Sequence, residues 1–394
     1  MASVVTGIGV VSALGTGVQE NLNALTCMKS GISDFPEILV TGNRLPVGEV
    51  KLTNVELASV LGLSEDRHMS RTAMLGMLAA KEALDDACPD PGLRVGLVSS
   101  TSVGGMDLTE HFFADFMQDP DSGRLRDVVM HDCCASTDAI GNYCGIKGYR
   151  TTVSTACSSA ANALMIADRL IRHGILDCVV AGGTDALSAF TMNGFKSLRI
   201  LDDRRCRPFD VSRAGLNLGE GAGYVVLMRE DLATGDVGYC KLAGYANKND
   251  ANHQTAVSEN GDGAYLAMCE AIAMSGISPE CVSYINVHGT GTLNNDSSES
   301  KALKRVFGDN VPPFSSTKGY TGHTLAAAGG IEAVFSVLSI RDGAIWPNLG
   351  FESQDDDCSL SPQVRLVTGT DVKCVISNSF GFGGNCSSVV FVKD

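Results

Sequence analysis

Short apolar, β-branched runs alternate along the chain with longer stretches whose apolar positions recur at helical spacing. The runs Val4–Thr6, Arg94–Ser99, Thr151–Thr155, Cys178–Ala181, Ala222–Met228, Val282–Val287, Lys373–Ser377 and Ser388–Val392 predict strands. Helical spacing predicts helices over Arg71–Ala87, Ser159–His173, Ala264–Ser275, Ser298–Phe307 and Leu325–Arg341. Strands separated by helices predict an α/β fold with a parallel or mixed sheet covered on both faces. No low-complexity linker divides the chain, yet residues 1–240 and 241–394 each carry strand, glycine turn and helix in that order. Two packed copies of one α/β unit are therefore expected.

Composition narrows the class. The 394 residues are 44 % hydrophobic and 19 % charged, which excludes a disordered chain. A formal net charge of −15 repels phosphate backbones, so nucleic acid is not an expected partner. The 14 cysteines include no C-x-x-C pair, which removes a zinc ribbon or thioredoxin-like motif, and no metal is expected. No apolar run is long and unbroken enough to predict a membrane span. The start, Met1 to Gly7, has no basic leader, so a reduced cytoplasmic setting is expected.

Four segments carry candidate chemistry. In Val153-Ser154-Thr155-Ala156-Cys157-Ser158-Ser159 a strand runs into a cysteine and then a small-residue helix. A thiol at a helix N-terminus meets unpaired N–H groups and the positive end of the dipole, which favour thiolate. A buried structural cysteine fits the same segment. In Asn286-Val287-His288-Gly289-Thr290-Gly291-Thr292 an apolar strand ends at His288, as a reactive group or as a turn cap. In Lys318-Gly319-Tyr320-Thr321-Gly322-His323 a lysine and a histidine flank a glycine turn before a helix that contains Glu332, with a Lys318–Glu332 ion pair the plainer reading. In Phe380-Gly381-Phe382-Gly383-Gly384 backbone N–H groups can turn inward as oxyanion donors, or the loop simply packs. Together they supply a nucleophile to hold an acyl group and imidazole donors to hold an enolate, as thioester chemistry requires.

At these segments the chain resembles the elongating β-ketoacyl-acyl-carrier-protein synthases of the thiolase superfamily. The resemblance runs from Val5-Thr6-Gly7-Ile8-Gly9 through Arg207-Pro208-Phe209-Asp210 and Gly219-Glu220-Gly221-Ala222-Gly223 to the Phe380–Gly384 turn. Two histidines separate it from the initiating condensing enzymes, which use His and Asn, and from thiolases.

The resemblance implies a thiolase-like duplicated αβαβα layered fold, with Cys157 in the 1–240 half and both histidines in the 241–394 half. It implies a homodimer, a synthase-type heterodimer being the alternative. Cys157 matches the acyl-accepting nucleophile, and His288 and His323 match the pair that holds the malonyl thioester carbonyl during decarboxylation. Lys318 matches the lysine that orders this site, with Glu332 its partner. Phe382 matches the gating phenylalanine, whose N–H joins that of Cys157 in an oxyanion hole. Thr290 and Thr292 match the threonines that contact the pantetheine arm, and Phe380 belongs with them to the substrate wall. The implied partner is an acyl carrier protein, which brings the phosphopantetheine, so the chain itself needs no cofactor.

Two segments depart from the family. Asn385-Cys386 stands where Thr-Asn is usual, and Met130-His131-Asp132-Cys133-Cys134-Ala135 replaces an apolar, proline-containing stretch of the acyl pocket and dimer contact. Fatty-acid and polyketide- or polyene-type synthesis are both open. Cys386, near the C-terminal glycine turn, keeps a thiolase-type acyl-CoA enzyme as an alternative. A chain-length-setting partner subunit is another, although such a subunit is expected to lack Cys157. Because the chain and an acyl carrier are both acidic, docking is expected at a local cationic cluster, either Arg67, His68 and Arg71 or Arg204, Arg205 and Arg207.

Overall fold

The computed structural model describes residues 3–39, 44–64, 69–233 and 238–393. Every residue of Ser3–Ser12 is buried, so the first apolar run continues through its glycines as a ten-residue central strand. The main sheet is built from β1 (Ser3–Ser12), β2 (Val95–Ser100), β3 (Arg150–Val153), β4 (Cys178–Asp185), β5 (Gly221–Arg229), β6 (Cys240–Asn249), β7 (Tyr284–Asn286), β8 (Phe314–Ser315), β9 (Cys374–Gly381) and β10 (Asn385–Val392). Its spatial order is β8-β7-β9-β10-β6-β1-β5-β4-β2-β3, with Gly15–Thr16 pairing beside β1.

This order repeats itself. From its outer edge the first half reads β3-β2-β4-β5-β1 and the second β8-β7-β9-β10-β6, each strand number raised by five. Directions repeat too. In each half the two outermost pairings are parallel and the next two antiparallel. The halves join antiparallel where β1 meets β6 at Ser3 to Val5.

The helices that layer this sheet are α1 (Val18–Thr26), α2 (Arg71–Ala87), α3 (Met106–Gln118), α4 (Cys133–Tyr143), α5 (Ser159–Arg172), α6 (Ala189–Ser197), α7 (Asp262–Ser275), α8 (Leu293–Phe307) and α9 (Ala328–Asp342). α2 covers the outer face of β1, β5 and β4, and α7 that of β6, β10 and β9, while α5 and α9 pack on each other and against strands of both halves. With no exposed polar face, α9 is buried on every side from Ala328 to Ile340, its Glu332 included. Glycine lets it approach: a Cβ on Gly330 would stand 2.3 Å from the Gly223 carbonyl oxygen of β5.

Several boundaries differ from expectation. The strand expected over Thr151–Thr155 ends at Val153, because Thr155 already turns: its N–H donates to Ser159 Oγ (2.8 Å). The helix expected from Ser298 begins at Leu293, since polar Asn295, Asp296 and Ser298 are buried by tertiary contacts that an apolar-period reading omits. The helix expected from Leu325 opens as a 3₁₀ turn at Leu325–Ala327 before α9 begins. Strand β6, unforeseen, bridges the two halves.

Candidate active site

The duplication places the chemistry at equivalent joins. β3 leads into α5 through Cys157, and β8 leads toward α9 through His323. At the first join Ala156 is left-handed, φ +54°, a conformation that turns the chain sharply between strand and helix. Ser158 Oγ donates to the Thr155 carbonyl (2.7 Å) and Ser159 Oγ to that of Ala156 (2.5 Å), bracing the turn. The helix-end setting alone suggests a readily ionised thiol, but Cys157 is only 5 % exposed. Burial, the largest effect, pushes the thiol up to about 12. The charge of Lys318 and the N–H groups of Phe382 and of Cys157 itself act in the opposite direction. The thiol is thus protonated at rest, and the groups that favour thiolate face it.

His288 and His323 are both buried, with ring centroids 5.3 Å apart and planes crossing at 84°. Burial drives both imidazoles well below their usual range, and the Lys318 charge adds to this. Both rings are therefore neutral at neutral pH. The Leu325 N–H donates to His323 Nδ1 (3.3 Å), which leaves Nε2 as the protonated, donating nitrogen. The His288 backbone is anchored from α8: Glu299 accepts the N–H groups of His288 and Gly289 at 2.9 Å each, and Asn378 Nδ2 at 3.1 Å. Burial raises this carboxyl to about 7, against those donors.

Lys318 and Glu332 form the expected pair, Nζ to Oε1 2.6 Å, with both side chains buried. Burial pushes the Glu332 carboxyl up and the lysine offsets this. Cys157, His288, His323, Thr290, Thr292, Phe380 and Phe382 all line one cavity of about 330 Å³. Thr290 and Thr292 share a hydroxyl contact of 2.9 Å on its wall. The Phe382 ring stacks on Phe195 of α6, centroids 5.8 Å apart, at the side of the cavity. A buried thiol faced by backbone N–H groups, beside two neutral imidazoles, is equipped to accept an acyl group and to stabilise an enolate oxygen.

The cationic clusters fare differently. Arg71 is a buried structural residue: its guanidinium binds Glu220, Nη2 to Oε1 2.6 Å, and it also donates to the Val50 and Leu52 carbonyls. Arg67 and His68 lie outside the described residues. Arg207 is buried against Asp202 (3.0 Å). Arg204 and Arg205 are exposed, but Arg205 pairs with Asp34 (3.2 Å) and neither lines the cavity, whereas exposed Arg199 does. Sequence reasoning missed Phe195 and Glu299, which lie on helices without a motif, and Arg199, which lies in the turn just beyond α6. Cys386 sits in β10 opposite Phe380 of β9, and burial pushes its thiol up to about 12.

Residues 3–233 match the model of the β-ketoacyl synthase N-terminal domain, and residues 239–352 that of the β-ketoacyl synthase C-terminal domain. A 3-oxoacyl-[acyl-carrier-protein] synthase 2 of Staphylococcus aureus is 33 % identical, covering 99 % of this chain and 98 % of that protein. Among solved structures, the ishigamide ketosynthase/chain length factor superposes with a TM-score of 0.93 at 29 % identity, covering 100 % of this chain and 99 % of that one. A type II polyketide synthase acyl carrier protein in complex with its ketosynthase bound to the hexaketide (AntDE:AntF) gives 0.89 at 29 % identity, with the same coverage.

Proposed function

The chain belongs to the β-ketoacyl synthase family, and from that premise we propose how its residues divide the work of the reaction. The enzyme is an acyltransferase that joins an acyl chain to a malonyl unit by decarboxylative Claisen condensation. In the first half-reaction the Cys157 thiol gives up its proton and its sulfur attacks the carbonyl of an acyl-carrier thioester. The N–H groups of Cys157 and Phe382 hold the oxyanion, the carrier leaves as its thiol, and the acyl group stays on sulfur. In the second, malonyl carrier enters, with its pantetheine arm along Thr290 and Thr292. Neutral His288 and His323 donate to the thioester oxygen as the carboxylate departs as carbon dioxide. The resulting carbanion attacks the acyl-Cys157 carbonyl, a carbon–carbon bond forms, and the Cys157 sulfur leaves. Lys318, held by Glu332, sets the electrostatics of all three groups. The reaction as written uses only these side chains, since the phosphopantetheine arrives on the carrier.

The observation that carries this reading is the convergence of Cys157, His288 and His323 on one cavity, with His323 Nε2 free to donate. A thiolase-type reaction needs a second reactive cysteine, and Cys386 is buried away from the cavity lining. A purely chain-length-setting role leaves Cys157 without a use. We further propose that the chain works in the cytoplasm as two halves divided near residue 240, and as a dimer. The outer strand β3 pairs only with β2 among the described residues, an open edge that a second subunit of the same fold can extend. A copy of the chain is the simplest such subunit, and a chain-length partner, as in the ishigamide pair, is the alternative. Mass spectrometry after incubation with a panel of acyl carriers, of the intact chain and then of its proteolytic peptides, tests the assignment: acyl mass should map to Cys157, and acyl mass on any other residue would refute it.

A further inference from the structure

Behind the Phe382 turn lies a cluster of asparagines that the reaction above leaves unused. Asn385, the first residue of β10, immediately follows Gly383 and Gly384, whose left-handed backbone (φ +82° and +80°) forms that turn. Its Oδ1 accepts from Asn247 Nδ2 of β6 at 2.6 Å. The same Nδ2 stands 2.7 Å from Asn162 Oδ1 on α5 and 3.0 Å from Ser387 Oγ. Asn162 in turn donates to Thr155 Oγ1 (2.9 Å), and Thr155 Oγ1 meets Ser158 Oγ (3.1 Å), the two residues that brace the Cys157 elbow.

A continuous chain of side-chain hydrogen bonds therefore runs from the Phe382 turn to the nucleophile's turn, and among the described residues Asn247 is its only link between β10 and α5. Apart from the Phe382 N–H that faces the Cys157 sulfur, the turn's backbone attachments lead away from the elbow: Gly383 N–H to the Gln254 carbonyl (2.8 Å), Asn249 Nδ2 to the Gly383 carbonyl (3.0 Å) and Asp250 N–H to the Gly384 carbonyl (2.8 Å). They tie the gate to the cavity wall at Gln254. The Asn247 amide has two protons for three oxygens, so it holds any two at a time and can stay engaged while the turn shifts. The gate also touches the elbow sterically, since a Cβ on Gly381 would lie 2.8 Å from the Thr155 carbonyl oxygen. Small displacements of this turn thus change the placement of the Phe382 N–H relative to the Cys157 sulfur.

We propose that Asn247 is a positioning residue that clasps the Phe382 turn to the Cys157 elbow and so sets the oxyanion donors for acyl loading. The inference rests on the proposed function, and it concerns the steps at the carbonyl held by the Cys157 and Phe382 N–H groups, acyl loading first and carbon–carbon bond formation after it, whereas malonyl decarboxylation uses the histidines.

The test compares acyl loading of Cys157, followed by intact mass, with decarboxylation of malonyl carrier in the full-length enzyme. Asn247→Ala should slow loading roughly 5- to 10-fold, the scale of one or two partly exposed hydrogen bonds. Asn247→Asp, isosteric but without donors and set against oxygens, should slow it at least as much. Decarboxylation should stay within about twofold of wild type in both, and the melting temperature within about 2 °C. The double variant Asn247→Ala/Asn385→Ala should load no more slowly than the worse single variant, as coupled partners require. Loading at the wild-type rate in either single variant, a parallel fall in loading and decarboxylation, or additive losses in the double variant would each overturn the clasp. Wild-type enzyme acylated elsewhere than Cys157 would overturn the proposed function and the clasp with it.

Discussion

At the scale of single residues, the proposed mechanism separates one nucleophile from two donors, so the half-reactions should come apart on mutation. Cys157→Ala should abolish acyl transfer yet retain measurable malonyl decarboxylation, because both imidazoles remain; persistent acyl transfer in that variant would remove Cys157 from the mechanism. His288→Ala and His323→Ala should each depress decarboxylation by about 10²–10³, the usual effect of losing one donor to a developing oxyanion, and depress loading less. The reverse pattern, normal decarboxylation with failed loading, would exchange their roles. The pH dependence follows from the same burial. Both imidazoles lie well below their usual 6.5 in the folded protein, so the unfolded chain binds the extra protons as pH falls. Stability should therefore decline as pH drops below about 6.5. Decarboxylation should show no acid limb near 6.5, only one further into acid. Glu299, which anchors the His288 turn and is raised to about 7, also titrates in this range, so a break near 6.5 that persists in Glu299→Gln would contradict neutral, buried donors.

At the scale of elements, the reactive side chains are held by groups on other elements through buried charge. α8 reaches the His288 turn through Glu299, and α2 reaches the β4–α6 and β5 region through Arg71 and Glu220. Glu220 also accepts the N–H groups of Val50 (3.0 Å) and Leu187 (3.0 Å), so one carboxylate joins three segments and a guanidinium. Removing one partner of such a pair leaves an uncompensated buried charge. Arg71→Ala should thus destabilise the fold by about 3–5 kcal/mol, read from urea unfolding. A loss within about 0.5 kcal/mol would instead mark Arg71 as an ordinary surface cation.

At the scale of the whole molecule, a net charge of −15 opposes encounter with any acidic partner at long range. Docking then depends on local cations, and the exposed cation lining the catalytic cavity is Arg199, carried at φ +57° just beyond α6. Arg199→Glu should raise the apparent KM for carrier-bound substrates several-fold, and more at low than at high ionic strength. Reversal of Arg204 and Arg205 should raise it less, as Arg205 faces Asp34 beside a different groove. An equal effect of the two changes would return the docking patch to the Arg204–Arg205 segment.

Much of this protein was legible before any coordinates. Cys157, His288, His323 and the Phe382 turn stand in short motifs where strand ends, glycines and small residues are neighbours in the chain, so local chemistry offers them as candidates and the family resemblance supplies their expected roles. The Lys318–Glu332 pair spans only 14 positions and was legible for the same reason. The alternation of strand and helix likewise announced a layered α/β fold, and its repetition announced a duplication. What only tertiary structure decided rests on long-range contacts. Arg71 reads as a surface cation at a helix start until Glu220, 149 positions away, neutralises it in the core. Cys157 reads as a thiolate by its helix end until the surrounding layers remove water and reverse the balance. Asn247 and Asn385, 138 positions apart, have no visible connection in the sequence until β6 and β10 pair and bring them together behind the Phe382 turn. Burial and charge compensation are properties of the packed layers, and no local pattern of residues encodes them.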